Sequence, residues 1–576
     1  MAYEKSTAEN RVIIVGAGIG GLAAGIGLKT QLGCTNFTIY ETANDVGGTW
    51  RGCASDVHTH WYSLSTDLNP EWDNTHVFQP QLFRYWQDVA RKYSLYEHCT
   101  FQTEVVGAEW DDRRQLWHVE VKDLRTGERR VDSAKAVISG VGVLCVPFYP
   151  PDLDGVKTKF KGQYFHSARW DYSVDLHNKR VAVIGNGCSA AQFAPIIAED
   201  PTTQVVNFAR TPMWFFPRIR RIYTGFEKWV FRNVPFAMRL YRWGLMAWFL
   251  TNYMKKNAPE KYHDVLKPDY PFGCKRLIVD TGYYDMLHKP NVSLVVDGIA
   301  EITETGIVTK KGEHLPFDVI ILATGFVVDK FPFPVRGREG ISIDEYNNQH
   351  GGPTAYLGTT VPGFPNFFML GGPNTTTGHG SVIFTEEVQV NYAMKMLKPL
   401  LRGEVASFDV TEKATDKYNE KIQRRLNSAV WSVCESWYRV GHTGKISSLW
   451  PGSFVEFWWA LRTPKWSDYT VVGAERWVKR RRIAALFRTI LYGLVLAGAI
   501  SVYKKQDQVK VLWMWLSSEL MTVIPSLRCH RNGIAAPACS KVKGYSVTSV
   551  PWLLYALPVL SATPTGHERS NDDEST

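Results

Sequence analysis

Two segments of the chain share one pattern: an apolar run meets a glycine turn and then a helical stretch. No other feature restricts the fold as tightly. Arg11-Val-Ile-Ile-Val15 runs into Gly16-Ala-Gly18-Ile-Gly20-Gly21, a helical stretch to Leu32, and a second apolar run at Phe37-Thr-Ile-Tyr40. Arg180-Val-Ala-Val-Ile184 leads into Gly185-Asn186-Gly187-Cys188-Ser189-Ala190, a helix through Ile197, and Val205-Val-Asn-Phe208. β-Formers in unbroken runs fit strands buried on both faces, as in parallel sheets covered by helices. Each segment predicts a βαβ unit, and the pair predicts an α/β fold with two Rossmann-like dinucleotide-binding domains.

The glycines let the backbone turn tightly and approach a pyrophosphate, which the following helix N-terminus stabilises. Gly16, Gly18 and Gly21 serve the first turn, and Gly185 and Gly187 the second. What distinguishes the two is the residue at the end of the second strand. From Gly16 to Glu41 is 25 residues, and from Gly185 to Arg210 is also 25. A carboxylate there accepts hydrogen bonds from ribose hydroxyls, whereas a guanidinium followed by Thr211 suits a 2′-phosphate. The first site is therefore expected to hold FAD and the second NADPH.

The rest of the chain completes an outline of four segments. Residues 1–150 form the first part of the FAD domain, with strands at Trp117–Val121 and Ala136–Ser139. Residues 151–330 form the NADP domain, with a helical insertion at about 214–266 that is rich in Trp and Tyr and covers a substrate pocket. Its last strand, Val319–Leu322, meets the glycine turn at Gly325. Residues 331–478 return to the FAD domain, helical at 384–402 and 412–435. Residues 479–576 form a tail. There Lys479-Arg-Arg-Arg482 precedes the apolar stretch Ile483–Tyr503, closed by Lys504 and Lys505, which is about the length needed to cross a bilayer. With more basic residues before it than after it, a single C-terminal anchor would leave the catalytic part on the cytoplasmic side.

Apolar residues at 45% exclude a disordered chain, and a net charge of +10 over 576 residues is too dilute for a nucleic-acid footprint. Nine cysteines, an odd number with no C-x-x-C pair, argue against a disulfide framework or a zinc site and for a reducing compartment. No metal site is expected. Residues 1–10 lack the apolar core of a secretory signal.

Between the two turns lies Phe160-Lys-Gly162-Gln-Tyr-Phe-His166-Ser-Ala-Arg-Trp170-Asp171. It resembles the fingerprint of type I Baeyer–Villiger monooxygenases, in the flavin-containing monooxygenase superfamily. The resemblance extends over residues 10–478. It includes Gly47-Gly-Thr-Trp50, Lys275-Arg276, Ala323-Thr-Gly-Phe326, Leu370-Gly-Gly-Pro-Asn-Thr375 and Trp450–Trp459. It implies an enzyme that consumes NADPH and O2 and inserts oxygen beside a ketone, in a small hydrophobic substrate of secondary metabolism. Arg276 would be the catalytic cation, paired with Asp56, and Lys275 would help hold the 2′-phosphate. Thr49, Trp50, Arg51, Gly52, Val57 and Tyr62 would line the FAD, with Ala54 and Ser55 close to the nicotinamide. His166 would couple domain motion to NADPH.

One segment departs from the family pattern. Trp50 to Asp56 takes six steps, fewer than in the family, and the closing Tyr-Pro-Gly is absent. Two alternatives stand beside the leading reading: a flavin monooxygenase acting on nitrogen or sulfur, and, supported only by the shortened loop, a non-catalytic, membrane-tethered flavin-binding protein.

Overall fold

The two apolar runs are the central strands of two separate parallel sheets. The protein is represented by a computed structural model that describes residues 8–54, 57–217, 223–234, 254–271, 273–377 and 380–504, with single positions at 237 and 515. It divides into two units, residues 1–483 and 484–576.

In chain order the first half of unit 1 carries β1 (Val12–Val15), helix α1 (Ile19–Leu32), β2 (Phe37–Tyr40), α2 (Gln79–Lys92) and β3 (Cys99–Thr100). It continues with β4 (Thr103–Asp111), β5 (Leu116–Asp123), β6 (Arg129–Ala134), β7 (Ala136–Ser139), β8 (Gln163–His166), β9 (Arg180–Ile184), α3 (Cys188–Ile197) and β10 (Gln204–Phe208). The second half has β11 (Phe215–Pro217), β12 (Ile278–Asp280), β13 (Val292–Val295), β14 (Ile299–Ile302), β15 (Gly306–Thr309), β16 (His314–Pro316), β17 (Val319–Leu322), β18 (Val335–Arg336) and β19 (Phe367–Met369). There follow α4 (Val382–Leu401), β20 (Ser407–Val410), α5 (Glu412–Asn427), α6 (Phe454–Leu461), β21 (Tyr469–Val472) and α7 (Glu475–Lys504).

The first sheet has the order β19-β7-β1-β2-β3 and the second β13-β10-β9-β17-β8, and every pairing in both is parallel. The absence of alternation in the apolar runs has a direct cause. In β1, Val12 and Ile14 join the core on one side of the sheet, and Ile13 and Val15 join the core on the other. In β9, Val181 and Val183 face one core and Ala182 and Ile184 another. Side chains on alternate faces of a strand must all be apolar when both faces are covered. A smaller sheet, β18-β4-β5-β6, packs on the β19 side of the first, where Trp117 is fully buried and its indole donates to the Pro365 carbonyl at 2.7 Å.

Several expectations need correction. The strand at Val319–Leu322 lies in the second sheet, between β9 and β8, as expected of the NADP segment, whereas β19, from residue 367, closes the first sheet and is not foreseen in the sequence pattern. The helix expected over 412–435 stops at Asn427, where Ser428 caps it, and a 3-10 turn follows at Val430–Ser432. Of the insertion at 214–266, the helix Gly225–Asn233 begins with a Thr224–Glu227 capping box, and short turns of helix occupy Met254–Asn257 and His263–Leu266. The remainder, 218–222 and most of 235–253, lies outside the described residues. The apolar stretch at 483–503 is helical within α7. Yet among the described residues no helix is long and apolar enough to cross a membrane. Arg488, Thr489, Tyr492 and two glycines interrupt its run. The chain after 505 is likewise outside the described residues, apart from Trp515. Finally, a disulfide joins Cys274 and Cys434, 160 residues apart, against the expectation drawn from the cysteine count.

Candidate active site

The first turn is built from close backbone approach. Gly16 has φ of +95°, and a Cβ on Gly21 would stand 1.8 Å from the Gly16 carbonyl oxygen, so a side chain at Gly21 is sterically excluded. Gly18 is the N-cap of α1, leaving the first helical amides directed out of the turn. Glu41 follows β2 and is buried; one carboxylate oxygen accepts from the Ala17 amide at 2.7 Å and the other from the Ala43 amide at 2.9 Å. The carboxylate therefore sits against the turn itself, as the count of 25 residues requires.

Thr49, Trp50 and Arg51 lie on a 3-10 turn, Gly48–Arg51, with Gly52 closing it. The Trp50 ring meets the buried Tyr62 edge-on at 4.4 Å, and Arg51 donates to Asn44 at 2.5 Å. Val57 packs on the main core beneath them. Ser55 and Asp56 lie outside the described residues. The amide of Ala54 donates to the side-chain oxygen of Gln192, on α3, at 3.3 Å. The loop after the first turn thus reaches the helix that follows the second.

At the second turn Gly185 has φ of +114°, and a Cβ there would stand 2.4 Å from the Ala323 carbonyl. Gly187 is the N-cap of α3, Cys188 and Ser189 open the helix half-buried, and Ala190 is fully buried. The buried Asn186 donates to the Thr211 carbonyl at 2.9 Å, tying the turn to the end of β10. Asn207 braces the same turn, donating to the carbonyls of Val183 and Gly185 at 3.0 and 2.8 Å while accepting from the Tyr283 hydroxyl at 2.6 Å.

Arg210 projects from the end of β10 and is exposed. Lys275 lies over the Tyr270 ring at 4.5 Å. Burial lowers its ammonium from the usual lysine value, with Asp269 and Glu435 opposing and the Arg210 charge adding to the fall. Two cations that repel each other while one is partly buried form a natural place for a dianionic phosphate. Next in the chain, the half-buried Arg276 stands near Tyr438, whose hydroxyl is pushed up to about 12 by burial. The guanidinium pulls that hydroxyl the other way, and Cys188 adds to the rise. Tyr438 therefore neighbours both Arg276 and the start of α3. The disulfide between Cys274 and Cys434 ties the same two segments together.

His166 ends β8, paired with Leu322 of β17, and is buried. Its Nδ1 accepts from the Ala168 amide at 3.1 Å, its ring lies among Tyr149 and Phe326, and burial lowers it to about 4. It is a neutral side chain in the wall between fingerprint and second sheet. Trp170 packs edge-on against Phe165 and Phe193. Sequence reasoning missed Gln192, Tyr438 and the Cys274–Cys434 pair, none of which carries a local pattern.

Glycine turns of close backbone approach, two helix N-termini with no side-chain cap, Glu41 against one turn and two cations beside the other fit two dinucleotides. The comparisons with known proteins agree. A family model described as flavin-binding monooxygenase-like matches residues 9–438. A Baeyer–Villiger monooxygenase of Pseudomonas aeruginosa is 39% identical over 78% of this chain and 89% of its own length. A Baeyer–Villiger monooxygenase of Streptomyces coelicolor is 36% identical over 80% and 92%. The structure of an oxidised steroid monooxygenase bound to NADP superposes with a TM-score of 0.67 at 26% identity, covering 80% of this chain and 99% of that one. The chain belongs to the flavin-binding monooxygenase-like family, as an FAD- and NADPH-dependent monooxygenase related to the Baeyer–Villiger enzymes.

Proposed function

We propose that the protein inserts an oxygen atom beside the carbonyl of a bulky hydrophobic ketone, with Arg276 as the catalytic cation. One observation carries this reading: Arg276 follows Lys275, whose ammonium feels the Arg210 charge, and lies near Tyr438, which in turn neighbours Cys188 at the start of α3. That proximity to the start of the helix after the second turn supports a permanent positive charge near the nicotinamide end of the site.

In this reading FAD lies on Gly16, Gly18 and Gly21, with Glu41 toward its ribose and Thr49, Trp50, Arg51, Gly52, Val57 and Tyr62 along its length. Bound FAD would supply the redox chemistry, accepting hydride from NADPH and passing electrons to O2. NADPH lies on Gly185 to Ala190, its 2′-phosphate between Arg210, Thr211 and Lys275. Ala54 and Ser55 flank the nicotinamide, and Asp56 partners Arg276. A guanidinium cannot deprotonate at working pH, so it stabilises negative charge developing on oxygen throughout the reaction. Tyr438, its hydroxyl pushed up by burial, stays neutral beside the guanidinium. The Trp- and Tyr-rich sequence at 214–266 and the likeness to a steroid monooxygenase support a large apolar substrate.

The test is turnover with a panel of ketones and thioethers, with NADPH consumption and product mass followed together. An ester or lactone from a ketone supports the proposal. Oxygenation of thioethers alone, with ketones untouched, overturns it.

A further inference from the structure

Glu386 sits in the second turn of α4 with its carboxyl buried, and its Oε2 has no hydrogen-bond partner. What surrounds it is the first turn. A Cβ on Gly20 would lie 3.5 Å from Oε2, and one on Gly371 would lie 3.5 Å from Oε1. The carboxyl thus lies between the opening turn of α1 and the glycine pair Gly371-Gly372.

Its neighbours on α4 are committed. Glu387 accepts from the amide and hydroxyl of Ser65, both at 2.7 Å. Gln389 accepts from the Gly371 amide at 2.8 Å and donates to the Gly358 carbonyl and the Thr359 hydroxyl. Those contacts explain why a polar face on α4 is turned inward at these positions, and they leave Glu386 unexplained as a structural element. Unpartnered carboxylates in such surroundings are avoided in folded proteins unless they carry a proton or meet a ligand. Burial pushes this carboxyl up to about 8, so it is an uncharged acid at neutral pH, with a proton to donate.

We propose that Glu386 is a cofactor-binding residue: a neutral carboxylic acid that donates a hydrogen bond to an oxygen of the diphosphate or ribityl chain of FAD seated on the Gly16–Gly21 turn. A carboxylate here would repel the same diphosphate that the α1 N-terminus attracts; the protonated acid complements it. The inference rests on FAD occupying the first turn, and it assigns that site a contact from α4, far away in the sequence.

The experiment strips FAD from the full-length protein and titrates it back, following quenching of flavin fluorescence, for wild type, Glu386→Gln, Glu386→Leu and Glu386→Met. Thermal unfolding of each apoprotein is recorded alongside. Glutamine is uncharged and still donates, so its FAD affinity should stay within about threefold of wild type. Leucine and methionine cannot donate and should lose about tenfold or more, while their apoproteins unfold at or above the wild-type temperature because an unsatisfied buried group is gone. Wild-type affinity in either apolar variant overturns the proposal, as does a loss in the glutamine variant equal to theirs. If one apolar variant fails to fold, the other decides. Failure of the wild-type apoprotein to bind FAD at all would instead overturn the assignment of the first turn.

Discussion

The amide of Ala54 donates a hydrogen bond to the side chain of Gln192 at 3.3 Å, joining the loop that follows the first turn to the helix that follows the second. Neither residue belongs to a glycine motif, yet the contact links the two dinucleotide sites directly. Gln192→Leu keeps the volume and removes the acceptor. A neutral hydrogen bond contributes about 0.5–1.5 kcal/mol, so the KM for NADPH should rise about two- to tenfold while FAD content stays unchanged. Steady-state kinetics beside the flavin absorbance of purified protein check both halves.

In the proposed reading, cofactor preference depends on Arg210 more than on any other single side chain. Arg210→Glu replaces a phosphate partner with a ribose partner of the kind Glu41 is at the first site. Loss of a charged hydrogen bond costs about 1.5–3 kcal/mol, so the ratio of kcat/KM for NADPH over NADH should fall by about tenfold or more. An unchanged ratio would remove the 2′-phosphate from this end of β10.

The second sheet has a pH-dependent brace. Asp318 accepts from Arg180 at 2.8 and 3.1 Å and from its amide at 2.8 Å, and these bonds hold its carboxyl at about 2. Because the folded value lies below the ordinary one near 4, the stabilisation is complete above about pH 4 and fades as pH falls toward 2. Asp318→Asn should therefore lower the unfolding temperature at pH 6, and the gap to wild type should narrow at pH 3. Denaturation scans at the two pH values give the comparison.

The Cys274–Cys434 disulfide spans 160 residues and flanks Lys275 and Arg276. Closing a long loop commonly contributes about 2–4 kcal/mol. A dithiol reductant should lower the unfolding temperature of wild type and raise its KM for NADPH, since Lys275 loses its tether. Cys434→Ser should start from the lowered values and not respond to reductant. Equal wild-type behaviour with and without reductant would mean that the bond constrains nothing.

What could be read from the sequence is what is local. The turns at Gly16 and Gly185 are dictated by steric contacts within a few residues, and Glu41 and Arg210 follow by counting along a strand, helix and strand of regular rise. β1 and β9 are legible because both faces of each strand are covered. The three-residue strand Phe367–Met369, by contrast, closes the first sheet from far along the chain and carries too short a run to be seen. Tyr438 beside Arg276 and the partner of Cys274 are contacts across 160 residues or more, for which spacing holds no signal. The C-terminal stretch was legible as a helix, within α7, but among the described residues no helix is long and apolar enough to cross a membrane.

The most direct test of the central claim is anaerobic and aerobic turnover of Arg276→Ala beside wild type with a converted ketone. The guanidinium is needed where negative charge develops on oxygen and not for hydride transfer. The variant should bleach its flavin with NADPH in the absence of air, and in air should consume NADPH while forming no ester or lactone. Product at the wild-type rate from Arg276→Ala would contradict the account.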